Sequence, residues 1–296
     1  MSKTLKVGVL DSGAGGLTVL SAILGVKRNI ELHYFADDAF SPYGSLSVSD
    51  IQDRVIKVCL FLINKGVSAL VIACNTATLE AVSLVRCLPE VKENNIIVVG
   101  IEPAIKPASL LNAQGVVSVL ATPVSCKSSR LQILIQNSMP NPSLSLTDSK
   151  MGYHCIESDV LARAIDAMPE KLFVVEQELQ RIKGIMQDLN SRVLVLACTH
   201  YPLIKSMFTD LFDYPISIIE PSEAVANRLF FLIDQSDNEG LLSTNKGYNQ
   251  RVCLYSSGDC QALRRLTYWL KALLGGYVFD GLDLSLNTAC IDTLSS

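Results

Sequence analysis

Short apolar runs recur along the chain with room for a helix between them: "LKVGVL" (5–10), "IELHYFA" (30–36), "ALVIAC" (69–74), "NIIVVGI" (95–101), "VVSVLA" (116–121), "VLVLAC" (193–198), "ISIIE" (216–220) and "RVCLYSS" (251–257). Between them, "SVSDIQDRVIKVCLFLINKG" (47–66) carries a helical period, with Ser47 or Ser49 to cap it and Gly66 to stop it. The stretch 169–190 reads as an amphipathic helix, and "NSMPNPSLSLTDSK" (137–150) as a surface loop. Strands alternating with helices dictate parallel sheets with right-handed crossovers, an α/β fold. In open parallel sheets the ligand crevice lies beyond the carboxyl ends of the strands. The residues that follow each run are therefore site candidates: Asp11 and Ser12, Asp37 and Asp38, Cys74 with Asn75 and Thr76, Glu102, Thr122, Cys198 with Thr199 and His200, and Glu220. Every one is polar or a thiol.

Two of these strand ends are alike. "SALVIACNTAT" (68–78) and "SRVLVLACTHY" (191–201) each give a serine, an apolar strand, Ala-Cys and then hydroxyl or amide residues. The offset of 124 residues between Cys74 and Cys198 is too long for a solenoid period. It fits two similar α/β halves, each presenting one thiol, and a chain of 296 residues with 49% apolar composition can build two cores. If the halves face one another, the thiols enter one cleft from opposite sides. A break between the halves is expected near "VGIEPAIKPASLL" (99–111).

Charge narrows the ligand class. With a formal net charge of −4, no overall basic field exists to hold nucleic acid or an anionic membrane surface, so a small-molecule partner is expected. The first apolar run is cut short by Asp11 and glycines, unlike a secretory leader, and no run approaches a membrane span, so a soluble, cytoplasmic protein is expected. Nine scattered cysteines with no CxxC pair argue against zinc or redox motifs. In a reducing compartment seven of them read as small buried hydrophobes.

Two opposed thiols suit one chemistry in particular. Inverting a carbon flanked by a carboxylate and an amine takes a proton from one face and returns one to the other, which needs two acid–base groups of similar proton affinity. Cysteines, with an ordinary pKa of about 8.5, can serve as thiolate on one side and thiol on the other. Asn75, Thr76 and Thr199 could hold a substrate carboxylate, while Asp11 and His200 could each assist one thiol or orient the amine. No lysine stands at a strand end, so a pyridoxal Schiff base is not indicated and no cofactor is expected. A different reading starts from "VLDSGAGGLTV" (9–19). Gly13 and Gly15 match the first two positions of a G-x-G-x-x-G dinucleotide fingerprint, and Asp37 stands where the ribose acid would, but the third position is Thr18. A tight strand-to-helix turn explains the glycines as well, and a nucleotide-binding regulatory module is the alternative.

With these residues in view, the chain resembles the glutamate racemases of the aspartate/glutamate racemase superfamily. The resemblance rests on "GVLDSGAGGLTVL" (8–20), "SPYGSLS" (41–47), "ACNTAT" (73–78), "GIEPAIKPA" (100–108), "ACTHYPLI" (197–204) and "YSSGD" (255–259), in family order over nearly the whole length. It implies two parallel-sheet α/β domains related by pseudo-twofold symmetry with the active site in the cleft between them, spanning 1–100 plus the returning 212–296, and 101–211. It implies cofactor-independent interconversion of L- and D-glutamate by a homodimer, supplying D-glutamate for peptidoglycan. Cys74 would take the α-proton of D-glutamate and Cys198 that of L-glutamate, assisted by Asp11 and His200. Ser12, Asn75, Thr76 and Thr199 would bind the amine and α-carboxylate, Tyr43 and Gly44 would approach the side-chain carboxylate, and Thr122 and Ser125 occupy the place of a Thr-rich family turn. An acidic residue supporting the histidine is expected within 152–165, with Glu157 as the candidate. Within the superfamily, aspartate racemase or a single-thiol decarboxylase are the alternatives.

Overall fold

The structure, a computed structural model, describes residues 4–111, 115–138, 152–236, 249–275 and 282–289. The loop expected at 137–150 lies almost wholly outside them. Ten strands are described: β1 (Leu5–Asp11), β2 (Ile30–Ala36), β3 (Ala69–Ile72), β4 (Ile97–Gly100), β5 (Val116–Ala121), β6 (Gly152–Glu157), β7 (Val193–Leu196), β8 (Ser217–Ile219), β9 (Gln250–Ser256) and β10 (Asp283–Thr288). They form two sheets in two compact units, residues 1–101 with 222–296, and residues 102–221. The first sheet has the order β10-β9-β2-β1-β3-β4 and the second β6-β5-β7-β8, with every pairing parallel.

Residues 212–221, expected with the first half, lie in the second unit, because β8 pairs with β7 there. Two strands carry no apolar run in the sequence. Both β6 (GYHCIE) and β10 (DLSLNT) are sheet edges, mostly half-buried or exposed, so little of their length has to be apolar. By contrast β3 (ALVI) and β7 (VLVL) are buried at every position, as strands covered on both faces by helices must be.

The helices begin and end where their local chemistry allows. Ser47 Oγ accepts the Asp50 N–H at 3.2 Å and caps the helix Val48–Ile63, and the chain leaves it through Gly66 at φ +76°. The helix Leu172–Asp188 buries Val175, Leu179, Ile182 and Met186, a stripe at helical spacing.

Strand order fixes where a ligand can sit. In the first unit the chain leaves β1 for β2 on one side and then crosses to β3 on the other, so the order reverses between β1 and β3. In the second it leaves β5 for β6 and then crosses to β7, reversing between β5 and β7. The two sheets thus share a 2-1-3-4 core order, and each opens a crevice at its own switch point. Those crevices fall at Asp11 and Cys74 in one unit and at Thr122 and Cys198 in the other.

Candidate active site

In the first unit, the Ala73 N–H donates to the Leu10 carbonyl at 2.7 Å and holds the ends of β1 and β3 side by side. Cys74 then caps the helix Asn75–Cys87: its Sγ accepts the Ala77 N–H at 3.5 Å and lies 3.8 Å from Ser12 Oγ. An amide donor and a helix N-terminus at sulfur both favour negative charge there. Asp11 is fully buried, and its Oδ1 accepts the Gly13 N–H at 2.8 Å. Gly16 lets the next helix pass close over this carboxylate, since a Cβ at Gly16 would stand 2.7 Å from Asp11 Cβ. Thr76 is buried beside Asn75. Among the described residues, neither Asn75 amide atom has a hydrogen-bond partner, although the residue is only 2% exposed. Each buried polar atom left unpaired costs about 1–3 kcal/mol, so this amide marks a candidate ligand contact with one donor and one acceptor side to offer.

The "SPYG" segment packs beside this crevice. Tyr43 is buried and its hydroxyl donates to Asp37 Oδ2 at 2.7 Å, while Arg54 grips the same carboxylate through Nε to Oδ2 at 2.9 Å and an Nη to Oδ1 at 2.8 Å. Burial first, then the Asp37 charge and hydrogen bond, and then nearby Cys74, hold the Tyr43 phenol well above its ordinary range, so it stays a donor. Gly44 is half-buried in the short turn Tyr43–Ser45. Asp38 is likewise taken, accepting from Ser256 Oγ and from Arg265, each at 2.6 Å. Neither aspartate is therefore placed to hold a ribose, and the glycines serve as the tight turn.

In the second unit the Ala197 N–H donates to the Leu120 carbonyl at 2.9 Å and aligns the ends of β5 and β7. Thr122 caps the short helix Pro123–Lys127, accepting the Ser125 N–H at 3.3 Å and donating to Ser125 Oγ at 3.0 Å. Across the switch point stand Cys198, Thr199 and His200, all buried. His200 Nδ1 lies 3.9 Å from Cys198 Sγ, and its Nε2 is 3.1 Å from Asp166 Oδ2. Burial alone would lower the imidazole pKa, yet the Asp166 charge and hydrogen bond, aided by Cys198, raise it well above the ordinary value. Asp166 and Cys198 thus both favour the imidazolium form of His200, whose Nδ1 faces the thiol. Of the seven cysteines expected as core, Cys59, Cys126 and Cys253 are buried, burial pushing the Cys59 thiol up to about 12, whereas Cys87 and Cys260 are exposed near helix ends, against that expectation, and Cys290 lies outside the described residues.

Two partners were not foreseen from the sequence. Asp166, which ends the helix Leu161–Asp166, is the carboxylate that meets His200, while Glu157 has an exposed side chain and accepts through its carbonyl from Arg181 at 2.7 Å. A carboxylate in the last turn of a helix opposes the macrodipole, and that mismatch is the signal that could have marked Asp166. Arg54 gave no signal, because its partner lies outside its own helix. Of the other strand-end acids, Glu102 pairs with Arg130 through Nε at 3.0 Å and through a second, shorter contact, and Glu220 is half-buried.

Two parallel-sheet α/β units, each with a buried thiol at its switch point, define the class. Relatives in sequence make it specific. The chain is 34% identical over 269 residues to a glutamate racemase of Ralstonia pickettii, covering 91% of this chain and 88% of that one. It is 34% identical over 272 residues to a glutamate racemase of Ectopseudomonas mendocina, with 91% and 94% covered. The crystal structure of glutamate racemase from Francisella tularensis in complex with D-glutamate matches with a TM-score of 0.74 at 26% identity, covering 98% of this chain and 99% of that one. No protein-family model matches. The chain belongs to the glutamate racemase family. No helix among the described residues is long and apolar enough to cross a membrane.

Proposed function

We propose that this chain interconverts L- and D-glutamate by two-base proton transfer between Cys74 and Cys198, without a cofactor. One observation carries the proposal: each thiol is buried at the switch point of a sheet with the same core order, where the strand ends also carry Asp11 in one unit and His200 in the other. Cys74, near Asp11, takes the α-proton of D-glutamate; Cys198, backed by His200 and Asp166, takes that of L-glutamate. The bond broken is Cα–H on one face and the bond formed is Cα–H on the other, with the electron pair held in between by the α-carboxylate. Two-base inversion requires both sulfurs to reach one α-carbon.

Ser12, Asn75, Thr76 and Thr199 hold the amine and α-carboxylate, the orphan Asn75 amide supplying one donor and one acceptor. Thr122 and Ser125 line the second switch point. Since the Tyr43 hydroxyl hydrogen is engaged by Asp37, Tyr43 and Gly44 meet the side-chain carboxylate through the first-turn N–H groups of their turn. On this proposal the enzyme works in the cytoplasm as a homodimer and supplies D-glutamate for peptidoglycan.

Circular dichroism of purified protein with L-glutamate should show optical activity decay to zero, and much less with L-aspartate. Cys74→Ser and Cys198→Ser should each slow racemisation by at least about 10²–10⁴-fold, the scale of a lost acid–base group. Undiminished racemisation in either variant overturns the mechanism, and decay of L-aspartate alone overturns the substrate.

A further inference from the structure

A second group of chemically active side chains lies on the first sheet, away from its switch point. Among the described residues, Glu31 and His33 of β2 and Cys253 of β9 bring their ligand atoms within 4.8 Å of one another. The sheet dictates this. Glu31 and His33 are two apart on one strand and share a face, and the parallel register sets His33 against Cys253. His33 and Cys253 are 4% and 5% exposed, and the Glu31 side chain 17%.

Glu31 Oε1 is 2.9 Å from His33 Nε2, an ordinary ion-pair distance. A tetrahedral cation at about 2.0–2.1 Å from both donors would hold them roughly 3.3 Å apart, so its entry would part this pair by only a few tenths of an ångström. The other ring nitrogen is supported as a metal-bound histidine requires: His33 Nδ1 lies 3.2 Å from Tyr255 Oη, and the two rings stack at 13°.

We propose that Glu31, His33 and Cys253 form a binding site for a thiolate-accepting divalent cation of the zinc class, fastening β9 to β2. One nitrogen, one sulfur and one carboxylate suit zinc or cobalt and not magnesium or calcium, which take oxygen shells. A carboxylate and a thiolate neutralise a dication. Lys6, whose Nζ is 3.5 Å from Glu31, and Lys65, over the Phe61 and Tyr255 rings, oppose it and limit affinity. The site has no part in the proposed proton transfer. Its consequence is structural, because β9 arrives from the far end of the chain and pairs with β2.

The test uses the full-length reduced protein, stripped with a chelator and titrated with Co²⁺. One equivalent should bind with a thiolate-to-cobalt charge-transfer band in the near ultraviolet, Zn²⁺ should displace it, and Zn²⁺ should raise the thermal midpoint. Cys253→Ser should abolish the band, and His33→Gln should weaken binding by at least about tenfold. Cys87→Ser and Cys260→Ser, which alter exposed thiols, should keep it. If Cys253→Ser does not fold, the His33→Gln titration decides. No band in the wild type, a band that persists in Cys253→Ser, or unchanged affinity in His33→Gln overturns the site.

Discussion

Single side chains set the chemistry through partners they could not choose locally. Asp166→Asn removes the anion that holds His200 charged, so racemisation should fall about 10²–10⁴-fold, equally in both directions because the enantiomers equilibrate at unity. Stability should respond with a defined sign. A raised imidazole pKa stabilises the fold fully below the unfolded value of about 6.5, and that contribution is lost as pH rises through the folded value. Urea unfolding from mildly acidic to alkaline pH should therefore show the largest gap between wild type and Asp166→Asn at the acidic end, narrowing upwards; a pH-independent gap contradicts the protonated histidine. Asp37→Asn tests the other buried network. It strips the Arg54 guanidinium, 5% exposed, of its carboxylate and should cost about 3–5 kcal/mol in the same assay.

Elements are positioned by close approach and by caps. At Gly16 a new Cβ would meet Asp11 Cβ at 2.7 Å, Tyr34 Oη at 3.0 Å and Ala73 Cβ at 3.1 Å, so Gly16→Ala should cost about 1–3 kcal/mol and displace Asp11. Gly25, at the end of the same helix, has nothing within 4 Å of its would-be Cβ, and Gly25→Ala should change stability by no more than about 0.5 kcal/mol. Equal costs for the two would refute the packing account. Asp259 caps the helix Cys260–Leu274, its Oδ1 accepting from Gln261 and Ala262 at 2.9 and 3.0 Å, and Asp259→Ala should cost about 1 kcal/mol by thermal unfolding.

At the scale of the molecule, the chain leaves the first unit after Ile101 and re-enters it at Ser222. The returning segment is core and not trim: Leu229, Val252, Leu254, Leu266 and Leu270 are fully buried. At about 1.5–3 kcal/mol for each buried side chain, they match the 5–15 kcal/mol that holds a domain folded. A chain ending at residue 221 should lose the cooperative unfolding of the first unit, seen as loss of its calorimetric transition. A retained transition would show that β1 to β4 suffice.

Much of this was written into local pattern. Apolar runs at helix-length intervals specify parallel α/β architecture, because period-2 and period-3.6 segments cannot exchange roles, and the repeated Ala-Cys strand end marks the switch-point thiols. The edge strands β6 and β10 were not legible, since an edge needs few apolar positions. Asp166 and Arg54 were not either: their partners stand 34 and 17 residues away, and only strand order brings them together. The sequence by itself determined which residues could do acid–base chemistry and at which strand ends they stand. The tertiary structure alone decided which charges meet there, because hydrogen bonds and ion pairs are set by distances in space that no local period encodes.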